Sequence, residues 1–298
     1  MENLLRGTGV ALVTPFKDGE IDFDALGRII EHVIDGDVDF IVSLGTTGEA
    51  TTLTPEECKS VFEFTKEKND GRVPLVAGMF GGNWTEKIIS RFTEYQLEGF
   101  DAVMSSSPAY IKPSQEGIFQ HYMKIAEASP LPIIIYNVPS RTACNVTAET
   151  ILRLAHASDK FIAVKEASGN LVQAMKIMKH RPPGFLVLSG DDQLTLPLIG
   201  AGADGVISVI ANAFPFEFSS MVRNALEGDY AAARHYNNLL LDVHPWLYVD
   251  GNPPGIKAAL ELLGFCKRDV RLPQVPVSET TYNALKKEME ALALKRNG

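Results

Sequence analysis

Short apolar runs recur along the chain at residues 10–13, 40–44, 74–77, 102–105, 133–136, 162–165, 186–189 and 206–209, many of them rich in β-branched residues. Strands with one wet face alternate apolar and polar residues, and these runs do not. Their nearly continuous apolar character marks parallel strands buried on both faces. The intervals between runs leave room for a crossover helix each time, so eight such units predict an α/β fold, a closed (β/α)8 barrel. From about Asn212 onward the pattern is wholly helical, with candidate helices at 216–226, 230–243, 255–263 and 279–294. The expected division is a barrel over residues 1–226 and a C-terminal helical extension, 227–298, packed on it.

Punctuation along the chain supports this reading. Gly36, Gly99 and Gly202 each stand just before a candidate strand, where a glycine can end a helix in the left-handed conformation. Thr54-Pro55-Glu56-Glu57 has the form of a capping box, with Pro55 suited to the first helical position. That helix start leaves Gly45-Thr46-Thr47-Gly48-Glu49 as the loop after the second strand. The stretch 272–277, rich in proline, reads as a connector before the last helix.

Composition narrows the classes of function. The 298 residues are 45% hydrophobic and 22% charged, with a formal net charge of −9. An acidic chain lacks the clustered basic surface that nucleic acid or an anionic membrane requires, so small molecules and further copies of the chain are the expected partners. Cys58, Cys144 and Cys266 are too few and too scattered for a disulfide framework. The opening Met1-Glu2-Asn3-Leu4-Leu5-Arg6 has no basic stretch leading into a long apolar core. Together these features lead to an expected cytoplasmic location.

In a parallel barrel the loops that follow the strands share one face, so residues at strand C-termini converge. Lys165 closes the sixth run, Phe161-Ile162-Ala163-Val164. Desolvation there disfavours an ammonium and leaves amine free to attack a ketone and form an imine; the plain alternative is a lysine whose stem covers apolar surface while its head reaches water. Tyr136 closes the fifth run, and neighbouring strands should bring its phenol beside the amine, where it can move protons. Taken alone, Tyr136 could equally be a core tyrosine. Thr46 could pass the proton onward. The Gly-Thr-Thr-Gly turn offers N–H groups and hydroxyls suited to a carboxylate, or is simply a strand-to-helix turn. Arg141 is a candidate clamp for a second carboxylate, or a surface arginine.

Other site types have little support in the sequence. Gly200-x-Gly202-x-x-Gly205 matches a dinucleotide fingerprint in letters but precedes a strand instead of following one. The six histidines show no zinc spacing, and Asp191 and Asp192 after the seventh strand would repel a phosphate. No metal and no cofactor is expected.

The motifs Gly45-Thr46-Thr47-Gly48-Glu49, Tyr136-Asn137-Val138-Pro139-Ser140-Arg141-Thr142, Val164-Lys165-Glu166-Ala167-Ser168-Gly169, Ser189-Gly190-Asp191-Asp192 and Gly205-Val206-Ile207-Ser208 together resemble the dihydrodipicolinate synthase family. That family belongs to the pyruvate-dependent Schiff-base aldolases, which include N-acetylneuraminate lyase. The resemblance spans nearly the whole chain. It implies a TIM barrel in which Lys165 forms the imine with pyruvate. Tyr136 and Thr46 would form a proton relay completed by Tyr110 from a neighbouring subunit. Thr47 would bind the pyruvate carboxylate and Arg141 would bind L-aspartate 4-semialdehyde, while Gly190 and the Ile207 carbonyl would line the site. The product would be 4-hydroxy-tetrahydrodipicolinate, on the diaminopimelate and lysine route, and the assembly a homotetramer built as a dimer of dimers.

The alternatives are an aldolase for neuraminate or a 2-keto-3-deoxy sugar acid, or a binding protein that keeps the pocket without turnover. Arg141 favours the synthase, since sugar-acid members generally lack an arginine there; the intact Lys165, Tyr136 and Thr46 argue against a pure binder. Ala143 and Ser168 depart from the family pattern without touching the chemistry. Lysine-inhibited members tend to carry histidines, an acid and a tyrosine where this chain has Pro55 and Cys58, Lys87 and Ala109, although Asn83 is kept. Weak or absent inhibition by lysine is the resulting expectation.

Overall fold

The structure, a computed structural model, describes residues 4–296. Eight parallel strands close a barrel: β1 (Gly7–Ala11), β2 (Phe40–Ser43), β3 (Leu75–Ala77), β4 (Ala102–Ser106), β5 (Ile133–Asn137), β6 (Phe161–Glu166), β7 (Leu186–Ser189) and β8 (Gly205–Ser208). Each pairs with its sequence neighbours, and β8 returns to β1. The helices that cover the barrel are α1 (Phe23–Asp35), α2 (Pro55–Asn69), α3 (Thr85–Glu94), α4 (Gln115–Ala128), α5 (Ala148–Ala157), α6 (Leu171–His180), α7 (Thr195–Gly200) and α8 (Pro215–Leu226). Then follow α9 (Tyr230–Leu240), α10 (Pro254–Leu262) and α11 (Glu279–Arg296).

The apolar runs form strands because both faces are buried. Along β5, Ile133 and Ile135 pack outward against the helices, whereas Ile134 and Tyr136 point into the barrel with Phe40, Val42, Met104, Ala163 and Leu188. Gly9 makes room for this interior: a Cβ there would lie 2.2 Å from the Phe40 ring. On β6 the pairing with β5 slips by one residue, so Phe161 opposes Ile133 and Ala163 opposes Ile134. Downstream of that irregularity Tyr136 sits directly beside Lys165.

Helix starts follow the sequence where capping side chains are legible. Thr54 Oγ1 accepts from the Glu57 N–H at 3.2 Å and the Thr54 N–H donates to Glu57 Oε2 at 2.8 Å, closing the capping box ahead of Pro55. Gly202, directly after the residue that caps α7, takes φ +108°, as expected of a helix-ending glycine, whereas Gly99, also left-handed at φ +87°, lies in a separate turn beyond the end of α3 at Glu94. Gly36 is not left-handed. Its φ is −86° and Asp37 takes the left-handed turn instead; glycine is needed at 36 because a Cβ would lie 2.4 Å from Pro215. The first strand begins three residues before the expected run, and a small hairpin, Phe16–Lys17 with Glu20–Ile21, was not expected.

Candidate active site

At the C-terminal mouth of the barrel lies a cavity of about 310 Å³, lined in part by Thr46, Thr47, Tyr136, Arg141, Lys165 and Gly190. Six of the eight residues singled out from the sequence are therefore brought together. A second cavity of about 370 Å³ shares Thr46, Tyr136, Val138 and Arg141 with it and runs toward α3. A third, about 320 Å³, sits at the opposite end around Leu4, Pro132 and Pro182–Phe185. It contains neither an amine nor a phenol.

Lys165 is 5% exposed, on the inward parity of β6, with its Nζ 4.5 Å from the centroid of the Tyr136 ring. Among the described residues no carboxylate comes within ion-pair reach of that amine. Gly190, in the loop after β7, has to be small: a Cβ would lie 2.6 Å from the Ala167 Cβ and 3.2 Å from the Lys165 Cε. The glycine thus lets the loop press against the lysine stem and keep it extended toward the cavity.

One residue further on in each strand, the parity reverses and a polar network begins. Glu166 is buried, and its Oε2 accepts from Asn137 Nδ2 and from Gln173 Nε2, both at 3.0 Å. Its Oε1 accepts from the Ser168 N–H at 2.7 Å. Asn137 Oδ1 in turn accepts from the Val146 N–H at 2.9 Å. These neutral donors satisfy a buried carboxylate and tie the ends of β5 and β6 to the loops beyond them, which fixes Tyr136 and Lys165 relative to one another.

The Gly-Thr-Thr-Gly turn is held from two sides. Thr14 Oγ1 donates to the Gly48 carbonyl at 2.7 Å, and Gly48 is packed so closely that a Cβ would lie 3.0 Å from the Leu44 Cα. Glu49, in the left-handed region at φ +53°, turns its buried carboxylate to Lys257 Nζ at 2.5 Å and to the Arg271 N–H at 3.1 Å. Thr47 is buried and Thr46 exposed toward the mouth.

Several wall residues come from segments that strand-based reasoning does not reach. Asn252, ahead of α10, donates from Nδ2 to Thr47 Oγ1 at 3.0 Å, and its carbonyl accepts from the Arg141 guanidinium at 3.3 Å. Tyr248 Oη donates to Asp192 Oδ2 at 3.0 Å. Asp192 also accepts from the N–H groups of Val209 (3.0 Å) and Ile210 (2.8 Å), so this carboxylate is structural. Asp191 instead lines the cavity, and burial, reinforced by Asp192, raises its pKa above the usual aspartate value. Burial and the nearby Asp192 hold the Tyr248 phenol protonated well above the ordinary tyrosine range.

Two expected residues are not among those lining this cavity. Tyr110 is 86% exposed, at φ +68°, and is not among the residues lining the Lys165 cavity. Ile207 is buried within β8, also outside that lining. Among the described residues no group of three His, Cys, Asp or Glu side chains is arranged to hold a metal ion, and no helix is long and apolar enough to cross a membrane.

Comparison with known proteins gives the same frame. A 4-hydroxy-tetrahydrodipicolinate synthase of Parabacteroides distasonis is 49% identical over 292 residues, covering 98% of each chain. The crystal structure of dihydrodipicolinate synthase from Aquifex aeolicus superposes with a TM-score of 0.92 at 40% identity, over 98% of each chain. The enzyme of Acinetobacter baumannii, solved in complex with pyruvate, gives 0.93 at 36% identity over 97% of this chain and 99% of its own. The family model for the dihydrodipicolinate synthetase family matches residues 4–292, and the chain belongs to that family.

Proposed function

We propose that the chain is a lyase that condenses pyruvate with L-aspartate 4-semialdehyde to give 4-hydroxy-tetrahydrodipicolinate. The observation that carries this reading is the Lys165 amine: buried, without a carboxylate partner among the described residues, over the Tyr136 ring at the floor of an open cavity. A buried lysine held for stability would be paired. In the proposed reaction the Lys165 amine adds to C2 of pyruvate, and loss of water from the carbinolamine gives the imine. Loss of a C3 proton gives the enamine, whose C3 attacks the aldehyde carbon of the second substrate. The amino group of that substrate then displaces Lys165 from the imine carbon, closing the ring and freeing the enzyme.

Tyr136 and Thr46 serve the proton transfers at the carbinolamine and aldol stages. Thr47, whose hydroxyl accepts from Asn252, holds the pyruvate carboxylate with the N–H groups of its turn. Arg141 binds the carboxylate of the aldehyde substrate and Gly190 lines the floor, with the Ile207 carbonyl assigned beside it on the family resemblance alone. The relay closes with Tyr110 from a second copy of the chain. Two features support this: an exposed tyrosine beside the exposed Ile111, and a strained left-handed backbone tied down by the Tyr110 N–H donating to the Thr142 carbonyl at 3.0 Å. The homotetramer, the division at residue 226 and the cytoplasmic location rest on the family resemblance and on the free cysteines Cys58, Cys144 and Cys266.

The test is an initial-rate assay with pyruvate and aspartate semialdehyde, with a parallel assay of N-acetylneuraminate cleavage. Turnover of the first pair alone supports the reading. Cleavage of the sugar acid without turnover of the semialdehyde would contradict it.

A further inference from the structure

The segment 248–252 joins two sides of the barrel mouth. Tyr248 Oη is tied to Asp192 after β7, Asn252 Nδ2 to Thr47 after β2, and the Asn252 carbonyl to Arg141 after β5. Between them, Asp250 Oδ2 accepts from the N–H and the hydroxyl of Ser278, at 2.8 and 2.9 Å, which fastens the segment to the chain leading into α11. Five residues span at most about 18 Å when extended, so this is a short strap anchored at both ends. Tyr248 is 37% exposed, and its ring forms cavity wall next to Gly190, Asp191, Gln193 and Val209.

That wall bounds the Lys165 cavity beside residues of the β7 and β8 loops, none of which lines the second cavity toward α3. Lys165 takes the keto carbon, Thr47 one carboxylate and Arg141 the other. An acceptor longer than a four-carbon semialdehyde can extend past those groups either into the second cavity toward α3 or toward the β7 and β8 loops, and on the latter side Tyr248 stands. The phenol cannot swing aside freely, because its hydroxyl is held by a carboxylate that two backbone N–H groups fix in turn.

We propose that Tyr248 is a specificity-determining residue that limits the length of the aldehyde acceptor. The ring sets the limit, and the bond to Asp192 keeps the ring in place. This inference rests on the reading of Lys165 as the amine that carries pyruvate. Residue 248 can change which aldehyde is used without changing whether pyruvate is bound.

The experiment compares kcat/KM for aspartate semialdehyde with that for two longer, polyhydroxylated aldehydes, arabinose and mannose, at saturating pyruvate. It uses wild type, Tyr248→Ala, Tyr248→Phe and Tyr248→Trp. Pyruvate trapping on Lys165 by borohydride and the melting temperature are measured on each. Tyr248→Ala should raise the long-to-short ratio by about 10- to 200-fold, the range for reshaping an apolar pocket. Tyr248→Phe, which keeps the ring but loses its tether to Asp192, should raise the ratio by less than Tyr248→Ala does, and Tyr248→Trp should raise KM for aspartate semialdehyde with pyruvate trapping unchanged. A ratio unchanged in Tyr248→Ala while pyruvate is still trapped overturns the proposal. If Tyr248→Ala does not fold, Tyr248→Trp decides: an unaltered semialdehyde KM overturns the proposal. Absence of a pyruvate adduct on wild-type Lys165 contradicts the proposed function itself, before any variant is compared.

Discussion

Two lysines among the described residues are buried, and they are treated in opposite ways. Lys257, fully buried at 0% exposure on α10, has Glu49 Oε1 at 2.5 Å, the Asp269 carbonyl at 2.8 Å and the Phe16 ring centroid at 4.0 Å. Burial presses its pKa downward and Glu49 opposes that pressure. Lys165, nearly as buried, has one aromatic face and an open cavity. An ammonium inside a protein needs an anion and hydrogen bonds to offset its desolvation. Lys257 has them and its nitrogen is occupied. Lys165 has neither, so its nitrogen remains available. The position in the fold differs accordingly: Lys257 pins the helical extension to the loop after β2, while Lys165 ends a strand at the mouth.

The contrast can be broken at either lysine. Lys165→Ala should abolish adduct formation and lower turnover by roughly 10⁴-fold or more, while unfolding free energy in urea stays within about 1 kcal/mol of wild type because no ion pair is lost. Lys257→Met should do the reverse. It leaves the Glu49 carboxylate buried and unpaired, at a cost of about 3–5 kcal/mol in the same urea titration, and the double variant Glu49→Gln/Lys257→Met should recover much of that loss. Equal stability losses at both lysines would remove the distinction.

Smaller changes sharpen the comparison at the Lys165 site. Tyr136→Phe keeps the ring against the amine but removes the proton-carrying hydroxyl, and kcat should fall by about 10²-fold with the adduct still trappable on longer incubation. Arg141→Ala should raise KM for aspartate semialdehyde by about 10- to 100-fold and that for pyruvate by less than about threefold. If the semialdehyde kinetics stay unchanged, the role given to Arg141 is wrong. The smallest effect concerns lysine as a ligand. Lys87 is engaged with Glu94 at 2.7 Å, Cys58 is buried, Pro55 begins α2, and Ala109 has no aromatic ring to offer, its N–H donating to Asn83 Oδ1. Initial rates should change little across millimolar lysine, and saturable inhibition would contradict that expectation.

The pairing of Tyr136 with Lys165 is legible in the sequence because strand parity and the order of a parallel barrel are local, periodic properties. The capping box at Thr54 and Glu57 is legible for the same reason. Tyr248 and Asn252 are not. They lie in turns without periodicity, and their partners Asp192, Arg141 and Thr47 are 56, 111 and 205 residues away. The Glu49–Lys257 pair spans 208 residues, so Glu49 reads in the sequence only as the end of a loop motif. Tyr110 is legible as a residue but not as a contact: it is exposed and outside the Lys165 cavity, and the relay role proposed for it requires a second copy. The negative φ at Gly36 is hidden likewise, since the contact that demands glycine comes from Pro215 on α8.

The most direct measurement is peptide mapping by mass spectrometry after incubation with pyruvate and quenching with borohydride, done on wild type and on Lys165→Ala. The account predicts one reduced pyruvyl group on the peptide containing Lys165, none on the peptide containing Lys257, and none anywhere in the variant. An unmodified Lys165 peptide in the wild type, or label that persists in Lys165→Ala, would contradict it.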